Sequence, residues 1–138
     1  GRAASFGNKF EPGKKPMSTM APVMVFDRNN ELSLITGSPG GSLIPAAILR
    51  VLTGVIDFDL NIGEATMLTR VHKDWPALGI RYEKTLTPIV VKRLRDMGHG
   101  ATSDKTMGST QSIHIINGVN YGYSDLRRPG AGVSIQPN

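Results

Sequence analysis

Between a short apolar run and a long apolar stretch lies Thr36-Gly37-Ser38-Pro39-Gly40-Gly41-Ser42. Adjacent glycines at a strand-to-helix junction commit the chain to a tight turn, because glycine enters the left-handed region freely. The N–H groups at a helix start also point outward, where negative charge is favoured. The run is therefore a candidate cradle for an oxyanion or a carboxylate. The same residues also fit a plain strand-to-helix turn. They do not make a phosphate loop, since neither GxGxxG nor Gly-Lys-Ser/Thr follows.

Around this run the pattern reads as α+β. Val23-Met24-Val25-Phe26 predicts a strand, Asp27 to Glu31 a turn, and Leu32 to Thr36 a second strand, together a hairpin. Ser42 is the expected N-cap, and Pro45 suits the first helical turn. From Leu43 to Ile56 apolar residues occupy almost every helical face, with Arg50 the one charge, as in a helix buried on several sides. Gly54 marks a close packing contact within it. Asn61 is expected to cap a short helix from Ile62 to Leu68, and Arg81-Tyr82-Glu83 to form a short strand. Thr87-Pro88 opens a helix to Met97 that Gly98 ends. Ser109 to Ile116 predicts a strand, Asn117-Gly118 a turn, and Tyr121-Gly122-Tyr123 the returning strand. The tail from Pro129 reads as loop. Residues 1–16 lack periodicity and form an expected irregular segment, and 17–138 make one domain of antiparallel hairpins with helices packed on their faces.

The 138 residues suffice for one domain with a core. The net charge of +5 is scattered; its densest groups are Lys14-Lys15, Lys92-Arg93 with Arg95, and Arg127-Arg128. No run reaches the block length of a nucleic-acid tail, and the aromatics do not interleave with bases as in single-strand binders. Nucleic acid is thus not an expected partner; an anionic small molecule still is allowed. The absence of cysteine excludes a disulfide scaffold and cysteine metal sites. No stretch is long enough to span a membrane. A start at Gly1 is expected of a processed product or a fragment.

Other groups offer less chemistry. Ser18-Thr19 presents two adjacent hydroxyls that can donate to a carboxylate, or serve as a cap or turn pair. His72, His99 and His114 lack metal-ligand spacing and read as structural. Asp57 and Asp59 suit a cap or an Arg pair. Ser109-Thr110 has no base placed for it by sequence. Arg127-Arg128 can bind an anion or hold a carboxylate elsewhere in the fold. No nucleophile–base pair stands out, and no cofactor or metal is called for.

Several segments resemble the γ-glutamyltranspeptidases. Lys15-Pro16-Met17-Ser18-Thr19-Met20-Ala21-Pro22 is similar to that family's RPLSSMSP, and Thr36 to Ser42 to its TGSPGGS. Asn61-Ile62-Gly63-Glu64-Ala65 resembles its NIAEA-type segment, and Met107-Gly108-Ser109-Thr110-Gln111-Ser112-Ile113 its MGSTQSI. Tyr121-Gly122-Tyr123-Ser124-Asp125-Leu126-Arg127-Arg128 is similar to its YGASDPRR. These run in family order over nearly the whole chain.

The resemblance implies an N-terminal nucleophile hydrolase, an αββα sandwich of which this chain supplies part. In such a protein a precursor cleaves itself, and the new N-terminal Thr of the small subunit attacks a γ-glutamyl amide such as glutathione. The γ-glutamyl group then passes to water or to an amino acid or peptide. By motif, Ser18 and Thr19 would hold the α-carboxylate of the glutamyl group, Thr19 standing where Ser is usual. Gly40 and Gly41 would form the oxyanion hole. The nucleophile is absent from these residues, so the chain is expected to be a C-terminal piece of the small subunit, inactive alone. Its implied partners are the large subunit and the N-terminal part of the small subunit. The implied location is the periplasm or outside the cell. A catalytically inactive carboxylate-binding or assembly module on the same scaffold, or a related acylase of other specificity, also fits these motifs.

Overall fold

The computed structural model describes residues 9–16, 18–74, 76, 79–129 and 132–137. Residues 9–16 are irregular and exposed, and the readings at 1–8, Met17 and Trp75 lie outside the described residues. The described residues form eight strands and three α-helices: β1 Val23–Phe26, β2 Leu32–Gly37, α1 Ile44–Ile56, α2 Ile62–Met67, β3 Val71–His72, β4 Gly79–Glu83, α3 Pro88–Asp96, β5 Gly100–Asp104, β6 Gln111–Ile116, β7 Val119–Ser124 and β8 Val133–Pro137. The α+β class holds.

The main sheet has the order β1-β2-β6-β7-β8, antiparallel throughout. Its hairpins follow from local chemistry. Asp27 Oδ1 accepts the N–H groups of Asn29 and Glu31, which closes the first turn. Asn117 and Gly118 both have positive φ (50° and 73°), the backbone of a type I′ turn. The register sets Val25, Leu34, His114, Tyr121 and Ile135 in one row on one face. That face carries α1 and α2, with a core of Leu34, Val51, Val55, Ile62 and Ala65. The alternate row on the other face begins Met24, Ile35, Ile113, and there Met24 is 63% and Ile113 41% exposed.

The two helices approach closely because Gly54 has no side chain: a Cβ there would lie 2.8 Å from Ala65 Cβ. Asn61 caps α2 as expected, with a full capping box: its Oδ1 accepts the Glu64 N–H at 2.9 Å, and Glu64 Oε2 accepts the Asn61 N–H at 3.1 Å. Gly98 (φ 85°) ends α3; its N–H donates to Arg95 O and that of His99 to Leu94 O, the paired bonds of a Schellman motif.

Four expectations are corrected. Ser42 is not the N-cap of α1. A single 3-10 turn, Gly41–Leu43, leads into the helix, and the carbonyls of Gly40 and Gly41 accept its first N–H groups without a side-chain cap. Within this chain the apolar helix α1 buries one face only: Ile44, Ala47, Ile48, Val51 and Val55 are inside, while Leu49 and Ile56 are each 59% exposed. The tail is not loop: Val133 and Ile135 alternate with Ser134 and Gln136, and β8 pairs antiparallel with the edge of β7. Finally, β5 was missed. Gly100-Ala101-Thr102-Ser103-Asp104 has no apolar alternation, and it is a strand because α3 returns it parallel to β4, making a three-stranded sheet β3-β4-β5. Neither Asp57 nor Asp59 forms an ion pair with an Arg among the described residues: Asp57 is the C-cap of α1, and Asp59 takes a left-handed φ of 56°.

His114 is structural, as read, but one of its ring nitrogens is left without a partner among the described residues. Its ring borders an open apolar groove of about 520 Å³ lined by Ile62, Tyr121, Tyr123 and Ile135, and Nδ1 is buried without a hydrogen-bond partner among the described residues. Burial holds the imidazole below its ordinary pKa. Protonation therefore favours the unfolded chain, and this group's cost to stability grows as pH falls below about 6.5. In the full-length protein that carries this chain, His114→Leu is expected to raise stability by about 1 kcal/mol, the lower end of the penalty for an unsatisfied buried polar atom. Thermal melting at pH 8 and pH 6 checks it, with the larger gain at pH 6.

Candidate functional site

Strand register gathers the conspicuous loops at one end of the main sheet. Val23 pairs with Thr36, Gly37 with Gln111, and Gln111 with Ser124. The segment before β1, the glycine run after β2, the segment before β6 and the turn after β7 therefore all emerge there. They carry Ser18-Thr19, Gly40-Gly41, Ser109-Thr110 and Asp125 to Arg128. Sequence motifs up to 110 residues apart thus share one end of the fold.

Gly40 has φ 141° and ψ 11°, and Gly41 φ 59°. The first of these is essentially open only to glycine, the second is unfavourable for a branched residue. The first bonds of the helical turn run from Leu43 N–H to Gly40 O and from Ile44 N–H to Gly41 O. The amides of Gly40 and Gly41 thus lie outside the intrahelical ladder, at the positive end of the 3-10 turn and α1. A Cβ on Gly41 would have nothing within 4 Å, so its surroundings are open. Ser18 Oγ accepts the Met20 N–H at 3.2 Å, a local turn that leaves its hydroxyl proton free to donate elsewhere, and Thr19 beside it is half-buried.

Behind these loops lies a buried charge network that sequence reading missed. Arg70, 1% exposed, places Nη1 2.7 Å from Asp125 Oδ2 and donates to Met107 O, Thr66 O and Thr110 Oγ1. Arg127 donates from Nε to Glu83 Oε1 at 2.7 Å and from Nη2 to Glu83 Oε2 at 2.8 Å, a bidentate pair. Its Nη1 also reaches Asp125 Oδ1 at 3.1 Å. Glu83 accepts the N–H groups of Met107 and Arg70 as well. Asp125 accepts those of Thr110 and Arg127. Two cations and two anions are thereby neutralised together, and they tie α2, β4 and the loops before β6 and after β7 into one unit.

The charge states follow from these contacts. Burial pushes the Glu83 carboxyl up, and the Arg127 guanidinium with the Met107 and Arg70 amides more than reverses this, leaving it below its ordinary range. Asp125 behaves alike: burial raises it, and the Arg127 and Thr110 amides with the charges of Arg70 and Arg127 bring it below normal. Arg127 is opposed by burial and net raised by Glu83, whereas burial and the Arg127 charge lower Arg70.

Of the two readings of Arg127, the structure takes the second: it holds carboxylates within the fold. Arg128 is exposed. His72 Nε2 lies 3.1 Å from Asp74 Oδ1, beside the Arg81 pairs with Asp74 and Asp104, on the small sheet and away from the glycine loop. Ser109 and Thr110 are buried and bonded, Thr110 to the charge network. Among the described residues no group of three or more His, Cys, Asp or Glu is placed to hold a metal, and no helix is long and apolar enough to cross a membrane. The missed residues carried a partial signal: Asp125 and Arg127 sit in a quoted motif, but Arg70 and Glu83 stand alone in sequence.

The chain as a whole is similar to known proteins. Residues 2–135 match the model of the gamma-glutamyltranspeptidase family. The glutathione hydrolase proenzyme of Escherichia coli is 40% identical over 121 residues, covering 87% of this chain and 21% of the relative. That of Pseudomonas aeruginosa is 33% identical over 99% of this chain and 25% of the relative. The chain therefore spans about a fifth to a quarter of these curated relatives. Among solved structures, a mutant γ-glutamyltranspeptidase of Helicobacter pylori superposes with a TM-score of 0.84 at 35% identity, over 91% of this chain and 69% of that one. The Pseudomonas nitroreducens enzyme complexed with L-DON gives 0.83 at 35%, over 96% and 70%. The transpeptidase CapD of Bacillus anthracis, 23% identical with a TM-score of 0.73, shares the fold.

Proposed function

The chain belongs to the γ-glutamyltranspeptidase family, and from that premise we propose that it is the site-bearing C-terminal part of an enzyme that cleaves γ-glutamyl amides of the glutathione type. The γ-glutamyl group passes through an ester on an N-terminal Thr, outside this chain, to water or to an amino acid or peptide acceptor. The observation that carries this reading is the pair of glycine amides, held by left-handed backbone outside the helical ladder, at the sheet end that also bears Ser18 and Thr19.

Each group then has a task. Attack on an amide carbonyl develops negative charge on its oxygen, and two amides already aimed at that point stabilise it without reorganising. The positive end of α1 adds to the same field. The hydroxyls of Ser18 and Thr19 donate to the α-carboxylate of the glutamyl group, which fixes the γ-carbonyl relative to the glycines. The methyl group of Thr19 narrows that pocket. The buried Arg70–Asp125–Arg127–Glu83 network keeps the loops rigid rather than meeting substrate, because its charges are already neutralised.

The remaining partners are proposed to be the large subunit and the rest of the small subunit of one precursor. The matched relatives are proenzymes, and this chain leaves apolar surface to cover: Met24 and Ile113 on the open sheet face, and Leu49, Ile56 and Phe58 along and just after α1. The proposed compartment is the periplasm or the cell exterior. The test is hydrolysis and transfer of a γ-glutamyl anilide by the full-length, self-processed protein, with the isolated 138-residue chain alongside. Anilide release by the full-length protein and none by the isolated chain is expected. An intact, processed protein without γ-glutamyl turnover would overturn the reading in favour of a binding module.

A further inference from the structure

Gly40 and Gly41 have no side chains to anchor them; the anchoring comes from Ser38 and from the loop before β6. Ser38 Oγ accepts the Ser109 N–H at 3.0 Å and donates to Pro39 O at 2.8 Å. Pro39 O belongs to the same planar peptide unit as the Gly40 N–H, and in a trans peptide the two point in opposite directions. A hydroxyl that holds the carbonyl therefore also fixes the direction of the amide. Gly108 completes the brace. Its φ is +71°, and a Cβ there would fall 2.7 Å from Ser38 Oγ and 3.0 Å from Ala47 Cβ in α1. A Cβ on Gly40 would in turn lie 3.4 Å from Gly108 Cα. Backbone thus packs on backbone at Gly40 and Gly108, with the Ser38 hydroxyl set between the two loops.

We propose that Ser38, seated against Gly108, is a positioning residue that aims the Gly40 N–H at the oxyanion. This rests on the reading of Gly40-Gly41 given above. Aim matters because a donor helps only where charge develops in the transition state, and a loosened donor loses that differential effect while ground-state binding persists.

The experiment is steady-state kinetics of the full-length, self-processed enzyme on a γ-glutamyl anilide, per processed molecule, with melting temperatures recorded. Ser38→Ala is expected to lower kcat about tenfold, a fraction of the 10²–10³ lost with a whole donor, with KM for the anilide unchanged. Gly108→Ala keeps every hydrogen-bonding atom but pushes a methyl group against Ser38 Oγ, and should act in the same direction. The double variant should be no worse than the poorer single one, because both disturb one brace. If Ser38→Ala does not process, Gly108→Ala decides by the same kcat and KM criteria. A rise in KM at constant kcat would overturn the proposal. So would normal turnover in Ser38→Ala alongside a collapsed Gly41→Val, and in that case the oxyanion reading would stand. Normal turnover in both Ser38→Ala and Gly41→Val would remove the oxyanion reading itself.

Discussion

Gly41→Val in the full-length enzyme is expected to cut γ-glutamyl anilide turnover by about 10²–10³ per processed molecule, the cost of one lost oxyanion donor. No clash within the protein causes the effect, since a Cβ at Gly41 has nothing within 4 Å. It comes from the backbone. At φ 59° a β-branched residue is strained by about 1–3 kcal/mol. The loop can relieve that strain only by rotating the peptide, and rotation turns the amide away. If the loop instead keeps its shape, two methyl groups enter the open space beside the N–H, where the oxygen must come. Both routes lower kcat. The measurement is kcat and KM on enzyme whose processed fraction has been determined by gel. A Gly41→Val enzyme with full turnover would remove Gly41 from the mechanism.

Glu83→Gln is expected to destabilise the full-length protein by about 3–5 kcal/mol, the cost of breaking a buried ion pair from one side. Both oxygens of Glu83 already accept two donors each, from Arg127, Met107 and Arg70. An amide nitrogen in place of either oxygen faces donors with a donor. The two guanidinium groups would then share Asp125 alone, leaving net positive charge in a site where Arg70 is 1% and Asp125 0% exposed. Against total stabilities of about 5–15 kcal/mol this is a large share. Urea unfolding checks it, and a loss under about 1 kcal/mol would show the pair to be dispensable. The double change Glu83→Leu with Arg127→Met should cost far less than the sum of its parts, since it strands no charge.

The same network sets the acid limit. Glu83 and Asp125 both ionise below their ordinary values in the folded protein. Their contribution is therefore complete above the unfolded values of about 3.9–4.3 and is lost as pH falls through the lower folded ones. Unfolding midpoints should be flat in this contribution down to about pH 4.5 and drop below it, with a shallower drop in Glu83→Gln.

What could be read from the chain were features whose causes are local. The capping box at Asn61, the stop at Gly98 and the turn at Asn117-Gly118 each depend on residues within a few positions. The limits of local reading are equally specific. Ser42 has the right chemistry for an N-cap, yet Gly40 and Gly41 open a 3-10 turn that the backbone satisfies by itself. β5 has no apolar alternation, because it is held by the backbone of β4 rather than by a buried face, whereas β8 alternates Val133 and Ile135 with polar residues on an edge strand that leaves both exposed.

The order of motifs alone determined the family and the class, and it singled out Gly40, Gly41, Ser18 and Thr19 as the proposed site, since a turn glycine or a paired hydroxyl is a property of a few consecutive positions. Only the tertiary structure decided the fate of the charges. Arg70 meets Asp125 55 positions away and Arg127 meets Glu83 across 44. A lone Arg or Glu carries no mark of its partner, because burial raises the cost of an unpaired charge wherever it sits. Which cation neutralises which anion is settled only when the pairing of β6 with β7 sets Thr110 beside Asp125 and the pairing of β3 with β4 sets Arg70 beside Glu83.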